Sequence, residues 1–327
     1  MRLKAPVGGL TNRLAWKSRM DIGKLEDRIR EFINSGRRQA LLLKDSTAWN
    51  KLCSSLDIVG DTQLAIEAHP NLRGTKGDGE SYLIVYGVLQ AMLLQQDAIK
   101  HIGSALNIKV KLPKQLEDIR VIRNSAAGHP AHQKENGLSK SSFITRMSLS
   151  PASFQLITVY SGDRDYEFHQ ISIPSLIETQ EQYACKVMSG VVKELERQEM
   201  EHRKNHKETK LADSFPHTTR YHISKIIEAT SGPDRFPLGD VNVKTIEGFL
   251  DAFRQELTKR DEWGVYDSIN YHYELIEYPL KRLKEYFNGN DPMNEKDAYI
   301  FASFVSAQVD ELNGIAQELD NEYESSP

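Results

Sequence analysis

The run SYLIVYGVLQAMLLQQDAIKHIGSAL, residues 81–106, constrains this chain more than any other stretch. Tyr82, Val85, Tyr86, Leu89, Met92, Leu93, Ile99 and Ile102 recur at three- and four-residue spacing. That period predicts a long, well-buried helix with a broad apolar face. The polar triplet Gln95, Gln96 and Asp97 interrupts it. Successive helical residues point about 100° apart, so at least one of the three turns inward. The triplet is either a solvated stripe or a polar group held near a site built by the neighbouring helix, which makes Gln96 and Asp97 candidate supporting residues.

More helices flank this one. Ile22, Leu25, Ile29, Phe32 and Ile33 repeat at helical spacing up to Gly36. Residues 46–72 read as two short helices meeting near Gly60 and stopped by Pro70. The loop NLRGTKGDGE is turn-rich, and no Gly-Lys-Ser/Thr follows to make it a phosphate loop. Pro113 opens a helix carrying Leu116, Ile119 and Ile122, and Gly128 with Pro130 ends it.

The period then changes. SFITRMSLS, SFQLITVYS and YEFHQISI are short runs rich in β-branched and aromatic residues, separated by PA and GDRD. They predict a three-stranded antiparallel meander over about Ser142–Ile173. Pro174 opens a long helix whose far end is charged and exposed, and a short helix is expected over Thr219–Thr230. Three more helical stretches follow. The expected organisation is a helical domain over 1–210 holding the meander at about 142–173, and a helical domain over 211–327. The fold class is mainly α, and the terminal ESSP should fray.

Composition excludes several classes. The chain has 327 residues, enough for a substantial core, and 42 basic against 46 acidic side chains give a formal net charge of −4. No global basic field marks a nucleic-acid binder, so any such binding rests on a local patch. Only Cys53 and Cys185 occur, far apart and not at metal spacing, which argues against a disulfide framework or a zinc site and for a reducing cytoplasm. The basic N-terminus MRLKAPVGGLTNRLAWKSRM lacks the apolar run of a signal peptide, and no membrane span is expected.

The chemistry concentrates in IRNSAAGHP, residues 122–130. A guanidinium binds phosphate through two parallel hydrogen bonds and keeps its charge. An imidazole gives or takes a proton near neutrality. Together they supply what RNA cleavage without a metal requires: a base for the ribose 2′-hydroxyl, an acid for the departing 5′-oxygen and a cation for the phosphorane. Six helical steps turn about 600°, which leaves Arg123 and His129 on different faces of an unbroken helix. Either the helix breaks around Ser125–Gly128, or two copies of it assemble the site. One histidine per chain does not readily serve as both acid and base, so the chemistry calls for a dimer.

RNSAAGHP resembles the Arg-polar-x(3–5)-His signature of the HEPN superfamily (higher eukaryotes and prokaryotes nucleotide-binding domains). Asn124 fills the polar place, and long helices precede and follow the motif. The resemblance covers roughly residues 20–210. It implies an HEPN-like helical bundle and a metal-independent endoribonuclease acting as a homodimer, in toxin or antiviral-defence settings, with RNA as substrate. It also implies a possible antitoxin or regulatory partner. By this resemblance Arg123 and His129 are catalytic and Asn124 holds the arrangement. The meander inserted before the last bundle helix and the C-terminal unit depart from the minimal domain. Some HEPN domains are non-catalytic, so a nucleotide- or protein-binding module is the alternative. A third reading makes Arg123 structural, paired with Glu117 or Asp118.

Other groups are weaker. His132 lies three residues beyond His129 as a candidate supporting residue, but Pro130 spoils the helix that would align the two. His202 and His206 are four apart, as metal ligands often are, yet no third ligand is evident and Arg203, Lys204 and Lys207 would repel a cation. Those three are weak candidates for RNA phosphates. Tyr266, Tyr271, Tyr273, Tyr278 and Tyr286 suit a helical core better than base stacking. No metal site or cofactor is expected.

Overall fold

The computed structural model describes residues 21–72, 77–135, 138–161, 166–231 and 235–325. The basic N-terminal stretch, four residues of the turn-rich loop, the GDRD turn, part of SGPDRFPLGD and the last two residues lie outside them. The chain is mainly α with one small antiparallel sheet, and it divides into two compact units. The first takes residues 21–34 and 42–196, and the second takes 35–41 and 197–325. The division therefore falls inside a long helix, ahead of the expected 210/211 boundary.

In the first unit, α1 (Ile22–Ile33) starts where the Asp21 carboxylate accepts the Gly23 N–H, and α3 (Ser46–Ala68) starts on Asp45 in the same way. This is the ordinary reason for an aspartate at an N-cap. Between them in the sequence comes α2 (Gly36–Leu43), a short helix with no fully buried residue, most of which belongs to the second unit. Helix α3 runs unbroken through Gly60, where two helices were expected. A mid-helix glycine costs only about 1 kcal/mol, and the buried Leu52, Leu56, Val59 and Ile66 outweigh it. Helix α4 (Asp78–Ala105) is the expected long one, and Val85, Leu89, Met92, Ile99 and Ile102 are buried as its period requires. Tyr86, by contrast, is exposed.

The two halves of α4 serve two cores. Ile99 and Ile102 pack with α1, α3 and Ala184, Met188, Val191 and Leu195 of α6 (Ile173–His206). Val85, Leu89 and Met92 pack with Leu116 and Ile119 of α5 (Lys114–Arg123) and with the inner face of the sheet. That sheet has four strands, one more than expected: β1 (Gln133–Glu135), β2 (Leu138–Ile144), β3 (Ser153–Tyr160) and β4 (Glu167–Ser172), paired in sequence order. Phe154, Leu156 and Ile171 point to the helices.

The second unit is built on α7 (Thr219–Ala229), α8 (Arg235–Lys259), α9 (Asp267–Phe287) and α10 (Glu295–Ser325) around one apolar core. Asp320 ties its polar seam, accepting the N–H groups of Leu211 and Ala212 at 2.9 and 3.0 Å and the buried Arg260 guanidinium at 3.2 Å. Tyr273 and Tyr286 are core residues, whereas Tyr271 and Tyr278 are exposed. Among the described residues no helix is long and apolar enough to cross a membrane.

Candidate functional site

Helix α5 does not stop at Arg123. It widens into one π-helical turn, Asn124–Gly128, closed by the His129 N–H bonding the Asn124 carbonyl at 2.8 Å. Such turns occur mostly as single insertions in helices and often at functional sites. Ala126 anchors the turn in the apolar core and Ser125 is buried beside it, its hydroxyl 3.3 Å from Gln133 Oε1. His129 then leaves the helix, and Pro130 cannot resume it.

Arg123 is half-buried. Its Nε and Nη2 donate to Gln90 Oε1 at 3.1 and 2.6 Å, and its Nη1 donates to Asn124 Oδ1 at 3.1 Å. All its acceptors are neutral amides, and among the described residues no carboxylate pairs with it. The alternative pairing with Glu117 or Asp118 does not form, because Asp118 holds Lys114 at 3.0 Å and Glu117 is exposed. Arg120, one turn earlier, makes the contrast plain: its guanidinium sits 2.8 Å from Asp97. Of two arginines on one helix, one is neutralised and the other is positioned with its charge uncompensated.

Asn124 joins the motif together. Its side chain accepts from Arg123 while its main-chain carbonyl accepts from His129. His129 and His132 are both exposed, on the short connection that leads into β1. The backbone carbonyls of that connection are fixed by β2: Ser142 N–H donates to Pro130 at 2.7 Å, and the Ser141 hydroxyl donates to Ala131 at 2.7 Å.

Gln96 and Asp97 are not brought to this site. Neither Gln95 nor Gln96 is solvated; both are fully buried in an amide chain. Gln95 donates to Gln63 at 3.1 Å, Gln96 donates to Gln180 at 2.8 Å, and Gln180 donates to Gln95 at 2.7 Å. These bonds lock α3, α4 and α6 together. Asp97 is occupied by Arg120.

Two residues that position Arg123 escaped the sequence reading. Gln90 sits in an apolar helix, and the lone amide in GVLQAM is the signal it offers. Gly128 is more than a helix stop, since a Cβ there would lie 2.4 Å from Arg123 Nη1.

In the second unit, Arg203 is tied to Glu199 at 3.1 Å and to the Glu322 carbonyl, while Lys204 and Lys207 are exposed. The end of α6 is thus less solvated than its charge suggested. His202 and His206 stack at 4.7 Å, and His202 Nε2 lies 3.0 Å from the Tyr323 hydroxyl, which in turn donates to Glu262 at 2.7 Å. Burial, with help from the Arg37 charge, lowers His202 to about 4. Burial likewise raises the Glu262 carboxyl. No group of three or more metal-ligating side chains occurs among the described residues.

No protein-family model, curated protein or solved structure matches this chain.

Proposed function

We propose that the chain is a metal-independent endoribonuclease of the HEPN type, acting as a homodimer on single-stranded RNA. The observation that carries the reading is the double role of Asn124, which holds an uncompensated arginine with its side chain and the backbone of an exposed histidine with its carbonyl. Arg123 is the phosphate clamp, preorganised by amide oxygens that leave its charge available. His129 is the acid/base group.

In the proposed reaction one imidazole takes the proton of the 2′-hydroxyl as that oxygen attacks phosphorus. The facing imidazolium of the second subunit gives its proton to the departing 5′-oxygen as the P–O5′ bond breaks. The products carry a 2′,3′-cyclic phosphate and a 5′-hydroxyl. Such an activity suits a toxin or antiviral-defence effector restrained by an antitoxin or regulatory partner.

The test compares wild type, Arg123→Ala and His129→Ala on RNA, with and without EDTA. Cleavage that survives EDTA and is lost in both variants supports the nuclease. Intact RNA in all three samples favours a non-catalytic module that binds a nucleotide or a protein.

A further inference from the structure

The sheet buries one face and leaves the other uncovered. On its outer face Phe143 of β2 stands opposite Ile157 of β3, and Ile157 stands opposite Phe168 of β4. Side chains at cross-strand positions lie on the same face, so the two phenylalanines sit two strand spacings, roughly 10 Å, apart. Both are open to solvent, Phe143 at 48% and Phe168 at 61%, and the exposed Tyr166 ring lies 6.5 Å from that of Phe168.

Among the described strand residues, charge on this face has one sign. Lys134 of β1 pairs with Ser139, on the side of β2 that carries Phe143, and it is exposed. No carboxylate among the described residues shares that face. Glu167 of β4 lies on the opposite side, where it meets His169 at 3.4 Å. Aromatic rings with a cation and no anion beside them complement a polyanion that carries planar bases.

The face is also wired to the motif. Ser142, whose N–H holds the carbonyl of Pro130, precedes Phe143, and Pro130 follows His129. The strand that carries Phe143 is thus hydrogen-bonded to the segment that follows the imidazole.

We propose that this outer face is a stacking platform for the bases of single-stranded RNA, with Phe143, Tyr166 and Phe168 as the stacking rings and Lys134 as a phosphate contact. The inference rests on the nuclease reading for its choice of nucleic acid. Its test, however, does not require cleavage.

The probe is a fluorescent 2′-O-methyl oligouridine of roughly a dozen nucleotides, which lacks the attacking hydroxyl and reports binding alone. Its anisotropy is measured with wild type, Phe143→Ala, Phe168→Ala and the ring-conserving Phe143→Tyr. An abasic strand with the same number of phosphates is the second probe. Each alanine variant should weaken binding of the base-bearing probe about tenfold, within the range for losing one stacked base. Phe143→Tyr should restore most of it, and the abasic strand should bind weakly and be indifferent to all three substitutions.

Equal affinity of wild type and both alanine variants overturns the platform, as does equal binding of the abasic and base-bearing strands. A dimer that falls to monomer in light scattering when either phenylalanine is removed also overturns it, making the face a contact between copies of the chain. Failure of wild type to cut ordinary RNA, with ring-dependent binding intact, sinks the nuclease and leaves the platform standing.

Discussion

Arg123 fills the space that Gly128 leaves empty, for a Cβ on residue 128 would stand 2.4 Å from Nη1 and 3.2 Å from the central guanidinium carbon. The intruded group is the end of a long side chain, so an alanine there would displace Arg123 and spare the backbone. We expect Gly128→Ala to fold with a melting temperature within a few degrees of wild type. Cleavage should fall by roughly 10²-fold, the scale for losing one preorganised donor to a developing anion. Activity near wild type would mean that the position of this guanidinium does not matter.

Gln90 decides whether Arg123 keeps its charge to offer. Gln90→Glu would replace a neutral acceptor at 2.6 and 3.1 Å by a carboxylate oxygen facing the same two guanidinium N–H groups, a charge-assisted pair. The variant should unfold at the same denaturant concentration or higher, while RNA affinity and cleavage drop at least about tenfold. Gln90→Ala, which frees the guanidinium without neutralising it, should lose less. If the glutamate variant cleaves as well as wild type, Arg123 is not the phosphate clamp.

The helices were legible because burial imposes a period, and α4 shows it in Val85, Leu89, Met92, Ile99 and Ile102. Strands β3 and β4 announced themselves by β-branched and aromatic content, whereas β2 begins at Leu138, in a polar stretch, and meets its expected run only over Ser142–Ile144. Strand β1 did not, since Gln-Lys-Glu has no apolar residue to alternate and is held by its pairing with β2. Gly60 does not break α3, because the tertiary burial of its neighbours overrides the local propensity. The motif residues Arg123, Asn124 and His129 could be picked out by chemistry. The partner of Arg123, however, is 33 positions away on another helix, and no local pattern encodes that contact. The same holds for Gln180, which is 85 positions from Gln95.

That amide chain makes a stability prediction. Gln180 is fully buried and both donates to Gln95 and accepts from Gln96. Gln180→Met keeps the volume but strands a buried acceptor on one side and a buried donor on the other. Unmade buried hydrogen bonds cost about 1–3 kcal/mol each, so the first unit should lose about 3 kcal/mol in chemical denaturation. A loss under about 0.5 kcal/mol would show that water or a rotated side chain satisfies both partners.

His202 gives the second unit a pH dependence. Tyr323 has one proton and gives it to Glu262 at 2.7 Å, so His202 Nε2 must donate to the Tyr323 oxygen, which the neutral ring can do. Burial disfavours the charged ring most, and Arg37 and His206 add repulsion, against weaker attraction from Glu199 and Asp261. The folded pKa of about 4 lies below the ordinary 6.5, so between those values the unfolded chain binds the extra proton. The stabilisation is therefore complete above pH 6.5 and is lost as pH falls toward 4. Glu262, raised by burial, works in the opposite sense, and its effect is common to wild type and a His202 variant. Wild type should accordingly lose more melting temperature between pH 7 and 5 than His202→Gln does, measured by circular dichroism at fixed ionic strength. Parallel pH profiles for the two proteins would show that His202 is protonated in the fold as readily as in the open chain.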